Sequence, residues 1–130
     1  MKSVSNDVAR QEVEKWLSAK RISAKKREAN EDSIENLVEG FEEGVLVLNH
    51  ETNEITQNIL FPEGEIKQLV FKPRISVGDL HPYLKQLKSN DVDGRVKAYI
   101  SALTNQPASI LNRLDLYDYG VSTNIAVFFF

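Results

Sequence analysis

The residues best suited to catalysis in this sequence are two histidines, His50 and His81. His50 precedes Glu51 as in a zinc-protease motif, but that motif needs a second histidine four positions further on, which is missing here. His81 lies near Asp79, and a catalytic His–Asp pair would also need a nucleophile and an oxyanion site. The sequence offers no candidate for either, so we interpret His50 as a turn residue and expect a protein that is not an enzyme.

An acidic segment, Asp91-Val92-Asp93-Gly94, partly matches a calcium-binding loop. When Gly94 takes the sixth position, Ser89 falls on the first and Ile100 on the twelfth, where a bidentate glutamate is required. The mismatch at both ends favours a helix N-terminus with two acids in its first turn. The chain also has no cysteine and no nucleotide-binding glycine motif. We therefore expect no metal and no cofactor.

The composition is typical of one globular domain: 130 residues, 42% hydrophobic, 27% charged, net charge −3. We predict a single domain over residues 1–130. The negative charge argues against nucleic acid as the main partner. One basic cluster is followed by an acidic stretch, and we interpret both as solvated helix faces, with a phosphate-binding patch as the alternative for the basic cluster. That cluster consists of Lys20, Arg21, Lys25, Lys26 and Arg27.

The sequence indicates no targeting or membrane segment. Its first residues lack the apolar region typical of a signal peptide, and its longest apolar run, Ile125–Phe130, is far shorter than a membrane span. We therefore expect a cytoplasmic location and no membrane partner.

Residues 1–43 predict two helical segments. Asn6 can cap the first, a break lies near Ile22–Ser23, and Asn30 or Asp32 opens the second. In each segment, apolar residues at spacings of three and four form one stripe. These are Val8, Val13, Trp16 and Leu17 in the first segment, and Ile34, Leu37, Val38 and Phe41 in the second.

Residues 44–72 predict a three-stranded antiparallel meander. In the second strand, Ile55, Ile59 and Phe61 fall on one face at a period of two. A Pro-Glu-Gly turn separates this strand from the third, because proline presets φ and glycine tolerates positive φ. The outer strands are expected at Val45–Leu48 and at Glu65–Phe71.

Residues 76–130 predict three or four helices. Asp79 as N-cap places Pro82 in the first helical turn, whereas a cap at Ser76 would put this proline in the helix interior. Further helix starts are expected at Asn90 or Asp91, at Pro107 and at Asp115. The predicted fold class is α+β, with N-terminal helices, a three-stranded antiparallel β-meander and a C-terminal cluster of helices.

The end of the chain is apolar on every helical face, whereas a surface helix shows one apolar stripe. Three exposed phenylalanines would invite association. The alternative is that the phenylalanines close the core against Trp16 and Phe41. We predict a surface for a partner or a second copy at Val121, Ile125, Phe128, Phe129 and Phe130.

Two segments carry a family resemblance. The first, Phe71–Leu80, runs from a strand into an Arg-Pro and Asp-Leu pattern, with the order here reversed to Pro73-Arg74. The second begins with Ala102–Pro107 and continues through Leu111, Leu114, Asp115 and the pair Asp118-Tyr119. Over about residues 65–130, the chain resembles the tail assembly chaperones of Mu-like and P2-like tailed phages.

This resemblance implies a non-enzymatic phage or prophage chaperone. Such proteins coat the long helical tape measure protein before the tail tube polymerises around it. Asp79 and Asp115 match the family pattern, and we interpret both as helix caps. The resemblance also allows a longer product made by ribosomal slippage, since consecutive phenylalanine codons can form a slippery run.

Two other functions stay open. The first is a structural tail subunit, such as a terminator or connector, built into the particle. The second is a small nucleic-acid-binding regulator, which would depend on the basic cluster alone.

Overall fold

The computed structural model describes residues 3–85, 87–88 and 90–130. In that part of the chain, three helices precede a three-stranded antiparallel sheet and four helices follow it, which confirms the predicted α+β class. The helices are α1 (Asn6–Ala19), α2 (Ala24–Ala29), α3 (Glu31–Glu42), α4 (Val77–Leu84), α5 (Val92–Thr104), α6 (Ala108–Leu111) and α7 (Leu116–Ala126). The strands are β1 (Leu46–Leu48), β2 (Ile55–Asn58) and β3 (Gln68–Phe71), and a 3-10 turn, Val127–Phe129, follows α7.

The first two helices begin at serine caps. Ser5, one residue before the predicted Asn6, caps α1, and Ser23 caps α2. The predicted break between them is present, and Arg21 there has a φ of 61°. The sequence predicts two helical segments, but the structure has three, because α2 forms before Asn30, the N-cap of α3.

The sheet is the predicted meander, in the order β1-β2-β3. Leu46 of β1 pairs with Gln57, and Ile55 pairs with Phe71 of β3, all on the buried face. The prediction that Phe61 shares this face is wrong. β2 ends at Asn58, so Phe61 lies beyond the strand, with 57% of its surface exposed.

The expectation that Asp79 caps α4 is also wrong. Ser76 is the N-cap: its hydroxyl accepts the N–H of Asp79, and the Asp79 carboxylate accepts the N–H of Ser76, both at 3.0 Å. This capping box places Pro82 inside a helix of 8 residues. The proline removes only one backbone donor from so short a helix, and the two bonds of the capping box offset that loss.

The predicted caps of α5 and α7 are confirmed. Asp91 accepts the N–H of Gly94 at 2.8 Å, and Asp115 accepts the N–H of Tyr117 at 2.8 Å. Ser89, the first position of the calcium-loop alignment, lies outside the described residues. Pro107 precedes α6 as its N-cap instead of taking the first helical position.

The core lies between the helices and one face of the sheet. α1 packs against α3, α3 packs against α7, and α5 contacts both α7 and β3. The largest fully buried side chains of the core include Trp16, Phe71 and Phe128. In the described part of the chain, no helix combines the length and the apolarity that crossing a membrane requires.

Candidate partner-binding surfaces

The two histidines and Asp79 lie at the protein surface. His50 lies in the turn after β1, and its Nε2 is 2.9 Å from Oε1 of Glu12 on α1. His81 is exposed on α4. Hydrogen bonds with Ser76 in the capping box lower the pKa of Asp79. Among the described residues, no three histidines, cysteines or acids are grouped so that they could hold a metal ion.

The surface predicted at the end of the chain is not formed as a unit. Ile125 is 0% exposed and Phe128 is 2% exposed, so both belong to the core. The ring of Phe128 meets Trp16 edge to face, with 5.8 Å between the ring centroids. The alternative that the phenylalanines close the core against Trp16 therefore describes Phe128. Ile125 is buried as well, so neither residue offers a free surface in this arrangement.

The other three predicted residues lie at different places. Val121 is half-buried on α7, and Phe129 packs against Trp16 at a centroid distance of 6.1 Å. Phe130 keeps 47% of its surface exposed and packs against Tyr99. Contact of Phe130 with a partner stays a prediction.

Lys20 covers the outer face of Phe129. Its Nζ lies 3.1 Å from the ring centroid and donates a 3.0 Å hydrogen bond to the carbonyl of Pro73. Burial, with smaller effects from the charges of Arg74 and Lys26, lowers the pKa of Lys20 to about 7. Lys26 in turn donates to the main-chain oxygen of Phe130. Two of the five residues of the basic cluster, Lys20 and Lys26, thus contact the end of the chain, whereas Arg21 and Lys25 are exposed.

A groove between α3 and α7 is the surface that sequence analysis missed. We call it the α3–α7 groove, and it has a volume of about 320 Å³. One end is bridged by a 3.4 Å hydrogen bond from Asn36 to Asn124. It is lined by Asn36, Glu39, Gly40, Glu43, Leu116, Tyr117, Gly120, Val121 and Asn124.

The open end of this groove exposes large apolar side chains. Leu116 is 88% exposed and Tyr117 is 45% exposed. Phe61 meets the Tyr117 ring edge to face at 5.9 Å and, together with Leu60, extends the apolar surface beyond the groove. The signal was present in the sequence, since the apolar residues of α7 surround the helix instead of forming one stripe.

A buried polar network holds this surface in place. The Asp118 carboxylate accepts the backbone N–H groups of Leu60 and Phe61. Gln57 donates to the carbonyl of Asp118 at 2.8 Å and accepts the hydroxyl of Ser122 at 2.6 Å. Gln57, Asp118 and Ser122 are all 0% exposed, so a partner cannot reach the network. The network instead fixes the backbone of Leu60 and Phe61 against α7.

A second groove runs along α1 and α3, with a volume of about 640 Å³. Its apolar lining residues are Val13, Leu17, Ile34 and Val38. Three of its four charged lining residues are paired within the chain: Arg10 binds both oxygens of Glu35 at 2.8 Å, and Arg27 binds Glu14. The fourth, Lys15, donates to the main-chain carbonyl of His50 at 3.5 Å. These ion pairs leave little charge for a partner to recognise.

Comparison with protein-family models, with curated proteins and with solved structures found no significant match.

Proposed function

We propose that this protein is a non-enzymatic tail assembly chaperone of a phage or prophage. It binds the tape measure protein in the cytoplasm of the bacterial host during tail morphogenesis. The observation that carries the proposal is the exposed apolar surface at the start of α7, where Leu116 is 88% exposed beside Tyr117. Clustered exposed apolar side chains are typical of protein-binding surfaces.

The family resemblance supports the more specific part of the proposal. Its first segment covers the end of β3 and the start of α4, and its second covers the end of α5, α6 and the start of α7. Both segments therefore lie at element boundaries. Asp79 and Asp115 match the family pattern. Asp79 belongs to the capping box of α4, and Asp115 is the N-cap of α7.

Co-expression with the tape measure protein of the same phage or prophage tests the proposal. We expect a soluble complex that contains several copies of this chain, because a long helical partner offers several binding segments. An unrelated acidic protein of similar size is the control. Equal recovery of the tape measure protein with that control would overturn the proposal.

Fractionation of mature particles separates the two phage functions. A chaperone leaves before the tail is complete, so we expect this chain in assembly intermediates and not in mature tails. Stoichiometric amounts in mature tails would instead identify a structural subunit.

A further inference from the structure

The α3–α7 groove has two chemically different walls. On α7, Leu116, Tyr117 and Val121 form an apolar wall. On α3, Glu39 and Glu43 are exposed acids. Among the described residues that line the groove there is no lysine or arginine, so the acidic wall has no cation opposite it.

The two carboxylates lack partners within the described part of the chain. Neither the Glu39 side chain nor the Glu43 side chain takes part in a hydrogen bond or an ion pair there, in contrast to the side chain of Glu35 on the same helix, which binds Arg10. Burial and then the charges of Glu43 and Glu39 raise the pKa of Tyr117, which places both acids near the apolar wall. A lysine or arginine side chain of a partner at the acidic wall could therefore interact with both carboxylates.

Gly120 opens the middle of the groove. It lies in the interior of α7, where glycine is unfavourable relative to alanine. A Cβ built at Gly120 meets no described atom within 4 Å, so packing inside this chain does not require the missing side chain. The exposed glycine instead lets the backbone of a second molecule approach α7 closely.

We propose that the α3–α7 groove receives an amphipathic α-helix of the tape measure protein, with its apolar face on Leu116, Tyr117 and Val121 and its flanking lysines or arginines on Glu39 and Glu43. This inference depends on the proposed function and names the site and the chemistry of the partner segment. A helix suits the site because its apolar residues recur every third or fourth position along one face. At about 320 Å³, the groove takes side chains of such a helix, while the helix body lies across its rim.

Gly120→Gln provides the main test, because it fills the groove with a neutral, polar, helix-forming side chain. The matched control is Gly78→Gln, at an exposed glycine of α4 whose added Cβ meets only the Ser76 hydroxyl, at 3.7 Å. Overlapping peptides that cover the tape measure protein serve as probes, with binding followed by fluorescence anisotropy and folding by circular dichroism. We expect Gly120→Gln to weaken binding of the recognised segment at least tenfold without lowering the melting temperature, and Gly78→Gln to bind as the wild type does.

A second pair of variants tests the acidic wall. Glu39→Gln combined with Glu43→Gln removes two charges from the groove, and Glu28→Gln combined with Glu51→Gln removes two exposed charges elsewhere. We expect the first double variant to weaken binding about tenfold and to reduce its salt dependence, because the lost attraction is screened by ions. The control variant keeps the affinity and salt dependence of the wild type.

The outcomes separate the two proposals. If the wild type binds a tape measure segment and Gly120→Gln binds it equally well, the groove proposal is wrong and the proposed function stands. If the wild type binds no segment, the proposed function fails and the groove proposal fails with it. A recognised segment without basic residues, or a dimer of this chain that Gly120→Gln dissociates, would also overturn the proposed occupant.

Discussion

The buried carboxylate of Asp118 accepts a 3.0 Å hydrogen bond from the backbone N–H of Phe61 and so ties the first turn of α7 to the segment after β2. Its other oxygen accepts the N–H of Leu60 at 2.9 Å. The side chains of Leu60 and Phe61 can therefore point to solvent while their backbone stays fixed against α7. The exposed apolar surface is thus held by a polar contact inside the protein.

Asp118→Ala should lower the free energy of unfolding by about 3 kcal/mol, because it removes a charged acceptor and leaves two backbone donors without their partner. Urea denaturation measures this change. The control is Asp115→Ala, which removes an exposed N-cap of the same helix and should cost about 1 kcal/mol. Equal losses for the two variants would mean that Asp118 contributes no more than a cap.

Truncation after Ala126 should lower the melting temperature, because it removes Phe128 from the core. Phe128→Ala alone should cost about 3–5 kcal/mol, the usual range for a buried phenylalanine. Phe130→Ala, at a residue that is 47% exposed, should change stability by less than about 1 kcal/mol. A truncated chain that melts as the full chain does would restore the prediction that these residues form a free surface.

Local signals in the sequence predicted the elements well. The change of period from helix to strand and back gave the meander. Asp115 was identified as a cap, and Asp91 as one of two candidates with Asn90, because capping depends on a few neighbouring residues. Pro82 misled the prediction of the α4 start, since the rule against interior proline does not include the compensating capping box. The prediction that Phe61 lies on the buried face of the sheet was wrong because periodicity does not show where a strand stops pairing.

The surfaces were harder to predict because they depend on contacts between distant residues. The sequence indicates only that Asp118 is an acid in the first turn of a helix. The fold places the backbone N–H groups of Leu60 and Phe61 against its carboxylate. Ile125 and Phe128 were predicted to belong to a partner-binding surface for the same reason. The sequence does not show whether Trp16 packs against the end of the chain.

Two helical glycines should respond in opposite directions to alanine. Gly120→Ala should raise the free energy of unfolding by about 0.5–1 kcal/mol, because its Cβ enters open space and alanine favours the helix. Gly40→Ala should lower it by about 1–3 kcal/mol, because its Cβ would lie 2.8 Å from Cδ1 of the buried Leu46. Chemical denaturation of both variants measures the contrast, and a stabilised Gly40→Ala would show that β1 can move away from α3.

Lys20 should make stability rise with pH. Burial lowers its pKa from the usual 10.5 to about 7, so between these pH values the unfolded chain binds more protons than the folded one. The cost of burying the ammonium is thus full below pH 7 and fades towards pH 10.5. Lys20→Met removes this titration, so its stability relative to the wild type should fall as pH rises through that window. Urea denaturation between pH 6 and pH 10 measures the difference, with the exposed Lys25→Met as the control. A pH-independent difference would mean that the Phe129 ring and the Pro73 carbonyl keep the pKa of Lys20 at its usual value.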